Sequence, residues 1–84
     1  MGRDSLIDFI RNYLSELTSL PAHEFDVDQP LERYGLDSIG AAGLSGHLSD
    51  TFQVELSPNM AYDYPTISAI ADHLLGVIPA PARA

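Results

Sequence analysis

The 84-residue chain contains no cysteine and no lysine. Without thiols, neither a disulfide nor a thiolate metal site can supplement the core, so stability rests on apolar packing. Twelve acids stand against four arginines, for a net charge of -8. That balance excludes nucleic acid and an anionic membrane as partners, because both require a basic surface. It suits partners with basic patches, or simply a soluble surface. No apolar run approaches transmembrane length, and Met1-Gly2-Arg3-Asp4 lacks the basic and apolar regions of a signal peptide. The chain therefore reads as cytoplasmic. Myristoylation at Gly2 is disfavoured by Leu6, which stands where a small hydroxyl residue is wanted. The length allows one small domain with a modest core, too small for a deep active-site cavity.

What is present is helical spacing. Leu6, Ile10, Tyr13, Leu14 and Leu17 recur at three and four residues after a cap at Asp4 or Ser5, and Pro21 ends that helix. A second stripe is Ala41, Leu44, Leu48 and Phe52, starting just after Ser38. A third is Ile67, Ile70, Ala71 and Leu74, capped by Thr66. Between them, Ser57-Pro58 reads as N-cap and first residue of a short helix to about Asp63, with Met60 and Tyr64 turned inward. Nothing alternates with period two over a useful length. The expected fold is all-α: a four-helix bundle of three longer helices and one short.

Residues 19–36 form a long first loop without periodicity, and loops of that length are usually functional. Phe25, Val27, Leu31 and Tyr34 are spaced to pin it to the helices. Residues 79–84 are Pro/Ala-rich and linker-like, so the domain is expected over 1–78 with a flexible tail or a join to a larger polypeptide beyond it.

Tyr34-Gly35-Leu36-Asp37-Ser38-Ile39 places one serine, preceded by an acid, where the loop meets the second helix. A hydroxyl at a helix start is exposed, and the unpaired N–H groups there favour an anion beside it. Such a serine suits a phosphate ester. Asp37 and Ser38 are also both favoured capping residues.

Two separated blocks carry a family resemblance: residues 31–39, Leu-Glu-Arg-Tyr-Gly-Leu-Asp-Ser-Ile, and Asp63-Tyr64-Pro65-Thr66-Ile67. Together with the helix between them, they resemble the acyl carrier proteins of fatty acid and polyketide synthesis, over roughly residues 4–76. The resemblance implies that Ser38 is the attachment point for 4′-phosphopantetheine, transferred from coenzyme A by a phosphopantetheinyl transferase. The serine hydroxyl attacks the coenzyme's pyrophosphate and a phosphodiester remains on the protein. The arm's thiol then holds an acyl group as a thioester, so the chain needs no cysteine of its own. Asp37 resembles the family's acid beside the modified serine and is expected to help the transferase recognise it. Further partners implied are acyltransferase, ketosynthase or other biosynthetic enzymes, with the isolated domain a monomer and not itself catalytic.

Gly-Leu-Asp-Ser resembles acyl carriers more than peptidyl carriers, whose pattern has two glycines there; Tyr-Pro-Thr resembles polyketide carriers and is shared by peptidyl ones. A polyketide carrier is the first reading; a peptidyl or hybrid-pathway carrier, or a discrete fatty acid carrier, stands behind it. A serine hydrolase using Ser38 is the remote alternative, because no oxyanion-hole signature accompanies it. Gly43-Leu44-Ser45-Gly46-His47 misses the Gly-x-Ser-x-Gly elbow at its last position. The run from Asp26 starts like a calcium loop and then has proline fifth and leucine sixth. His23, His47 and His73 are too dispersed for local metal ligation, and no metal is expected.

On a helical wheel Ile39, Gly43, Gly46 and Asp50 lie nearly opposite the core stripe of the second helix, with Gly40 and His47 at the flank. The resemblance makes that face the one partner enzymes read. Asp50 is its only acid, where discrete fatty acid carriers are acid-rich. Ile39, Gly43, Gly46, His47 and Asp50 are thus the candidate partner-binding residues. Each glycine costs a helix interior roughly 0.8–1 kcal/mol against alanine, which argues against pure drift.

Overall fold

The apolar stripes become four helices in the computed structural model, which describes residues 2–78. These are α1 (Arg3–Thr18), α2 (Ser38–Phe52), the short α3 (Met60–Asp63) and α4 (Ile67–Val77). Among the described residues there is no strand, only an isolated bridge between Pro30 and Thr66. The expected all-α bundle of three longer helices and one short is the fold found. The Pro/Ala-rich residues 79–84 lie outside the described residues.

Leu6, Ile10 and Leu14 of α1 meet Ile67, Ile70 and Leu74 of α4, with Leu44 and Leu48 of α2 and Met60 of α3 closing the core. All nine are at most 2% exposed, so each contributes close to its full transfer free energy, about 1.5–3 kcal/mol. Leu17, placed on the core stripe by periodicity, is instead 44% exposed, and Ile7 is buried. The last turn of α1 overhangs the start of α2, so Leu17 lies beside Gly40 outside the core.

Two helix starts differ from their sequence reading. In α1 the cap is Gly2, with no side-chain bond, rather than Asp4 or Ser5. The Leu6 N–H already bonds the Gly2 carbonyl (3.1 Å), and Arg3 is tied to α4 by its bond to Asp72 Oδ1 (2.7 Å) and a second bond to the Ser68 hydroxyl. Asp4 falls in the first turn, where its charge still complements the helix dipole. In α3 the helix begins at Met60, two residues after Pro58. Residues 57–60 close a turn first, with the Met60 N–H on the Ser57 carbonyl (2.9 Å) and the Asn59 N–H on the Ser57 hydroxyl (3.1 Å). Met60 is buried as expected, and Tyr64 is half-buried, stacked on His73 at 4.1 Å.

The long loop carries two 3₁₀ turns, Ala22–Glu24 and Leu31–Tyr34, and it is firmly tied. Phe25 and Leu31 are buried, while Val27 and Tyr34 pack against the core half-buried. Arg11 donates twice to the Phe25 carbonyl (3.1 and 2.8 Å), and the Tyr34 hydroxyl accepts the Asp26 N–H (2.8 Å). Ser68 donates its N–H to the Val27 carbonyl (2.9 Å), which fixes the loop to the first turn of α4. Such side-chain and backbone bonds satisfy a segment that has no ladder of its own.

Candidate functional site

The 3₁₀ turn ends at Gly35, whose φ of 86° is left-handed and favours glycine. The chain then reverses through Leu36 into Asp37, an extended N-cap whose Oδ1 accepts the Gly40 N–H at 2.8 Å. Ser38 is therefore the first residue of α2, exposed, at the end of a helix whose first N–H groups have no intrahelical partner. Both capping and exposure are realised, divided between the two residues: Asp37 caps, and the Ser38 side chain stays on the surface.

The two sequence blocks form one joint. Leu31 donates its N–H to the Pro65 carbonyl (2.8 Å) beside the Pro30–Thr66 bridge, while Thr66 Oγ1 caps α4 through the Ala69 N–H (3.1 Å). The start of α4 thus holds the turn that leads into Ser38.

Two grooves flank the serine. One, of about 490 Å³, is lined by Ser38 and Ala41 of α2, by Pro30–Glu32 of the loop, and by Ala61, Tyr62 and Pro65. The other, of about 520 Å³, lies between the end of α1 and α2, with Leu17, Tyr34, Ile39, Gly40 and Gly43 along it. Leu36 and Asp37 border both. An exposed primary hydroxyl at a helix N-terminus beside a largely apolar groove fits a phosphate-linked arm.

The five residues expected on the partner face are all exposed, in two settings. Ile39 is 82% exposed, and a Cβ on Gly46 would meet nothing within 4 Å. Asp50 sits one turn further along, its carbonyl bonded by the Gln53 side chain (2.7 Å). Gly43 and His47 turn toward α1: a Cβ at 43 would come 3.4 Å from Tyr13 Oη. The His47 ring stacks on Tyr13 (4.3 Å) and Phe9 (5.4 Å). A histidine at that wheel position finds aromatic neighbours that single-helix geometry does not show.

Ser45 of the incomplete elbow is 1% exposed, and its hydroxyl donates to the Ala41 carbonyl of its own helix (3.2 Å). It is a core residue. Three residues that line the two grooves were missed in the sequence: Tyr62, 61% exposed on α3, and Leu17 and Leu36. A four-residue helix has no measurable periodicity, so nothing marked Tyr62. Leu36 sat inside the matching block and was the legible signal passed over.

Residues 8–74 match the family described as phosphopantetheine attachment site. Among curated proteins, polyketide synthase ThaQ of Burkholderia thailandensis is 36% identical over 67 residues, 80% of this chain and 3% of that protein. Polyketide synthase PksL of Bacillus subtilis is 29% identical over 69 residues, 82% of this chain and 2% of that one. The chain thus spans only a few per cent of these relatives. Among solved structures, a free-standing peptidyl carrier protein from an Acinetobacter baumannii secondary metabolic pathway superimposes with a TM-score of 0.85. It is 36% identical, and the match covers 89% of this chain and 94% of that one. What polyketide synthases and a peptidyl carrier share is the carrier domain itself, whose prosthetic group is 4′-phosphopantetheine. The chain belongs to the phosphopantetheine attachment site family and is a carrier domain.

Proposed function

We propose that Ser38 is the attachment point and that residues 1–78 form a polyketide acyl carrier, non-catalytic in itself. The observation that carries this is the exposure of Ser38 as first residue of a capped helix, bordering a groove of about 490 Å³. When bound, the 4′-phosphopantetheine group supplies a thiol that holds the acyl chain as a thioester. Ser38 contributes the nucleophile: its Oγ bonds to the pantetheine-side phosphorus of coenzyme A's pyrophosphate as the bridging P–O bond breaks, adenosine 3′,5′-bisphosphate leaves, and the hydroxyl proton passes to a base of the transferase. Asp37 holds the helix end through Gly40 and keeps the serine at the surface. Asp37, exposed beside the serine, is the acid that the transferase meets there. The non-catalytic reading is supported by the family match and by the likeness to a free-standing carrier protein.

Intact-mass analysis after incubation with coenzyme A and a broad-specificity transferase tests the assignment. One phosphopantetheine mass is expected on the wild type and none on Ser38→Ala; modification of Ser38→Ala would move the site. A fluorophosphonate probe is expected to leave the protein unlabelled, whereas a hydrolase would react.

The polyketide subtype is supported by Gly35-Leu36-Asp37-Ser38 and by the polyketide synthases among the relatives. A peptidyl carrier is the second reading, favoured by the end-to-end likeness to a free-standing peptidyl carrier. Loading by an acyltransferase, against loading by an adenylating enzyme with an amino acid, separates them. Partners beyond the transferase are then an acyltransferase and a ketosynthase, met in the cytoplasm by a monomeric domain. Ile39, Gly43, Gly46, His47 and Asp50 form the face they read. Its support is the near absence of charge on α2, one acid and no cation from Ser38 to Phe52 in a chain of net charge -8.

A further inference from the structure

Leu36 is the one side chain besides Asp37 that borders both grooves, and it stands two residues before Ser38. Its position depends on a missing atom. A Cβ built on Gly40 would lie 2.8 Å from Leu36 Cδ1, inside van der Waals contact, 3.3 Å from Asp37 Oδ1 and 3.4 Å from Leu17 Cδ2. The terminal methyl of Leu36 therefore occupies the notch that glycine leaves on α2, and Leu17 of α1 comes close to the same notch. Ser38 lines only the groove toward α3, whereas Ile39 and Gly40 line the groove toward α1. A half-buried leucine seated in that notch separates the two.

We propose that Leu36 is a partition that directs whatever Ser38 carries into the groove against α3 and closes off the groove against α1, with Gly40 as its seat. The proposal rests on Ser38 as the attachment point. Both grooves are of ligand size and mostly apolar, so volume alone does not choose between them. The side chain between them does. Leu36→Ala removes the wall. Gly40→Ala keeps the leucine and pushes it off its seat: the displaced Cδ1 is the end of a flexible side chain and takes a new rotamer, while the Asp37 carboxylate, 3.3 Å from the new methyl, gives by a few tenths of an ångström.

The test is a holo-minus-apo map of backbone amide shifts on the full ¹⁵N-labelled chain, loaded from coenzyme A by the transferase. Each variant is compared with its own unloaded form, and residues 37–40 are set aside because attachment alone perturbs them. In the wild type, shifts are expected at Glu32, Ala61 and Tyr62, with none at Leu17, Thr18 and Gly43. In Leu36→Ala, new shifts are expected at Leu17, Thr18 and Gly43, and Gly40→Ala is expected to show a weaker version of the same spread. Should Leu36→Ala fail to fold, Gly40→Ala decides alone. Wild-type shifts on the α1 side, or one map shared by wild type and Leu36→Ala, overturn the partition. A Gly40→Ala map equal to that of the wild type overturns the seat, and the partition with it where Leu36→Ala does not fold. Failure of the wild type to load overturns the serine assignment and the partition with it, whereas normal loading with an unchanged map overturns the partition alone.

Discussion

Helices α2 and α4 begin alike and end up serving opposite needs. Each is capped by the side chain of the residue before it, Asp37 onto the Gly40 N–H and Thr66 onto the Ala69 N–H. Each buries four residues: Ala41, Leu44, Ser45 and Leu48 in α2, and Ile67, Ile70, Ala71 and Leu74 in α4. Two of the four in α4 are β-branched and stiff, whereas the four in α2 include a serine, and three glycines sit among its remaining positions. The start of α4 also anchors the loop, through Pro65 just before the helix and Ser68 in its first turn. The difference separates stability from access. The helix that bears Ser38 leaves most of its residues exposed, and the loop that leads into it is tied to the start of the other one.

The joint between loop and α4 should be the costliest place to cut. Leu31→Ala removes a buried side chain at 3% exposure and should cost about 2–5 kcal/mol, much of the stability of a small domain. A thermal melt unchanged by it would show that the loop is not held there. The two caps sharpen the contrast. Thr66→Ala and Asp37→Ala should each cost about 1 kcal/mol in urea unfolding. Only Asp37→Ala should also slow loading of Ser38; equal slowing by both would make the effect one of stability alone.

Glycines on α2 give a gain instead of a loss. Gly46→Ala adds a methyl to open space and should stabilise the domain by about 0.5–1 kcal/mol through helix propensity. Gly43→Ala should gain less, because its methyl comes to 3.4 Å from Tyr13 Oη. If the face is read by partners, transfer to the cognate enzyme should fall with Gly46→Ala despite the added stability; unimpaired transfer would make that glycine incidental. The smallest effect belongs to Arg3→Ala. Its bond to Asp72 raises the Arg3 pKa further, yet the pair is 41% and 60% exposed, and the melting temperature should stay within error.

Most of the fold was legible because the core residues sit at helical spacing: eight of the nine deepest side chains named above come from three stripes that one period explains, and Met60 comes from the short helix. Ser38 and Asp37 were legible as residue types at a helix start. Periodicity misjudged Leu17, since a stripe does not reveal where a helix outruns its partners. It also treated Gly40, Gly43 and Gly46 as one face. The wheel is right about angle and blind to neighbours: Leu36 folds back onto the first glycine, Tyr13 reaches the second, and only the third is open. The loop showed which side chains would anchor it, and Phe25 and Leu31 are buried as expected. Its backbone bonds to α4 could not be read, because they depend on which elements meet in space.

The bond from the Leu31 N–H to the Pro65 carbonyl has a consequence for recombination between carriers. Residues 31–39 and 63–67 are two halves of a single fitted joint, although 23 or more positions of chain lie between them. A hybrid that takes one half from each parent must mate surfaces shaped in different contexts, and the mismatch falls directly on the approach to Ser38. Crossovers placed before Phe25 or after Val77 carry the joint over whole; those placed at residues 53–56, a natural choice between helices, divide it.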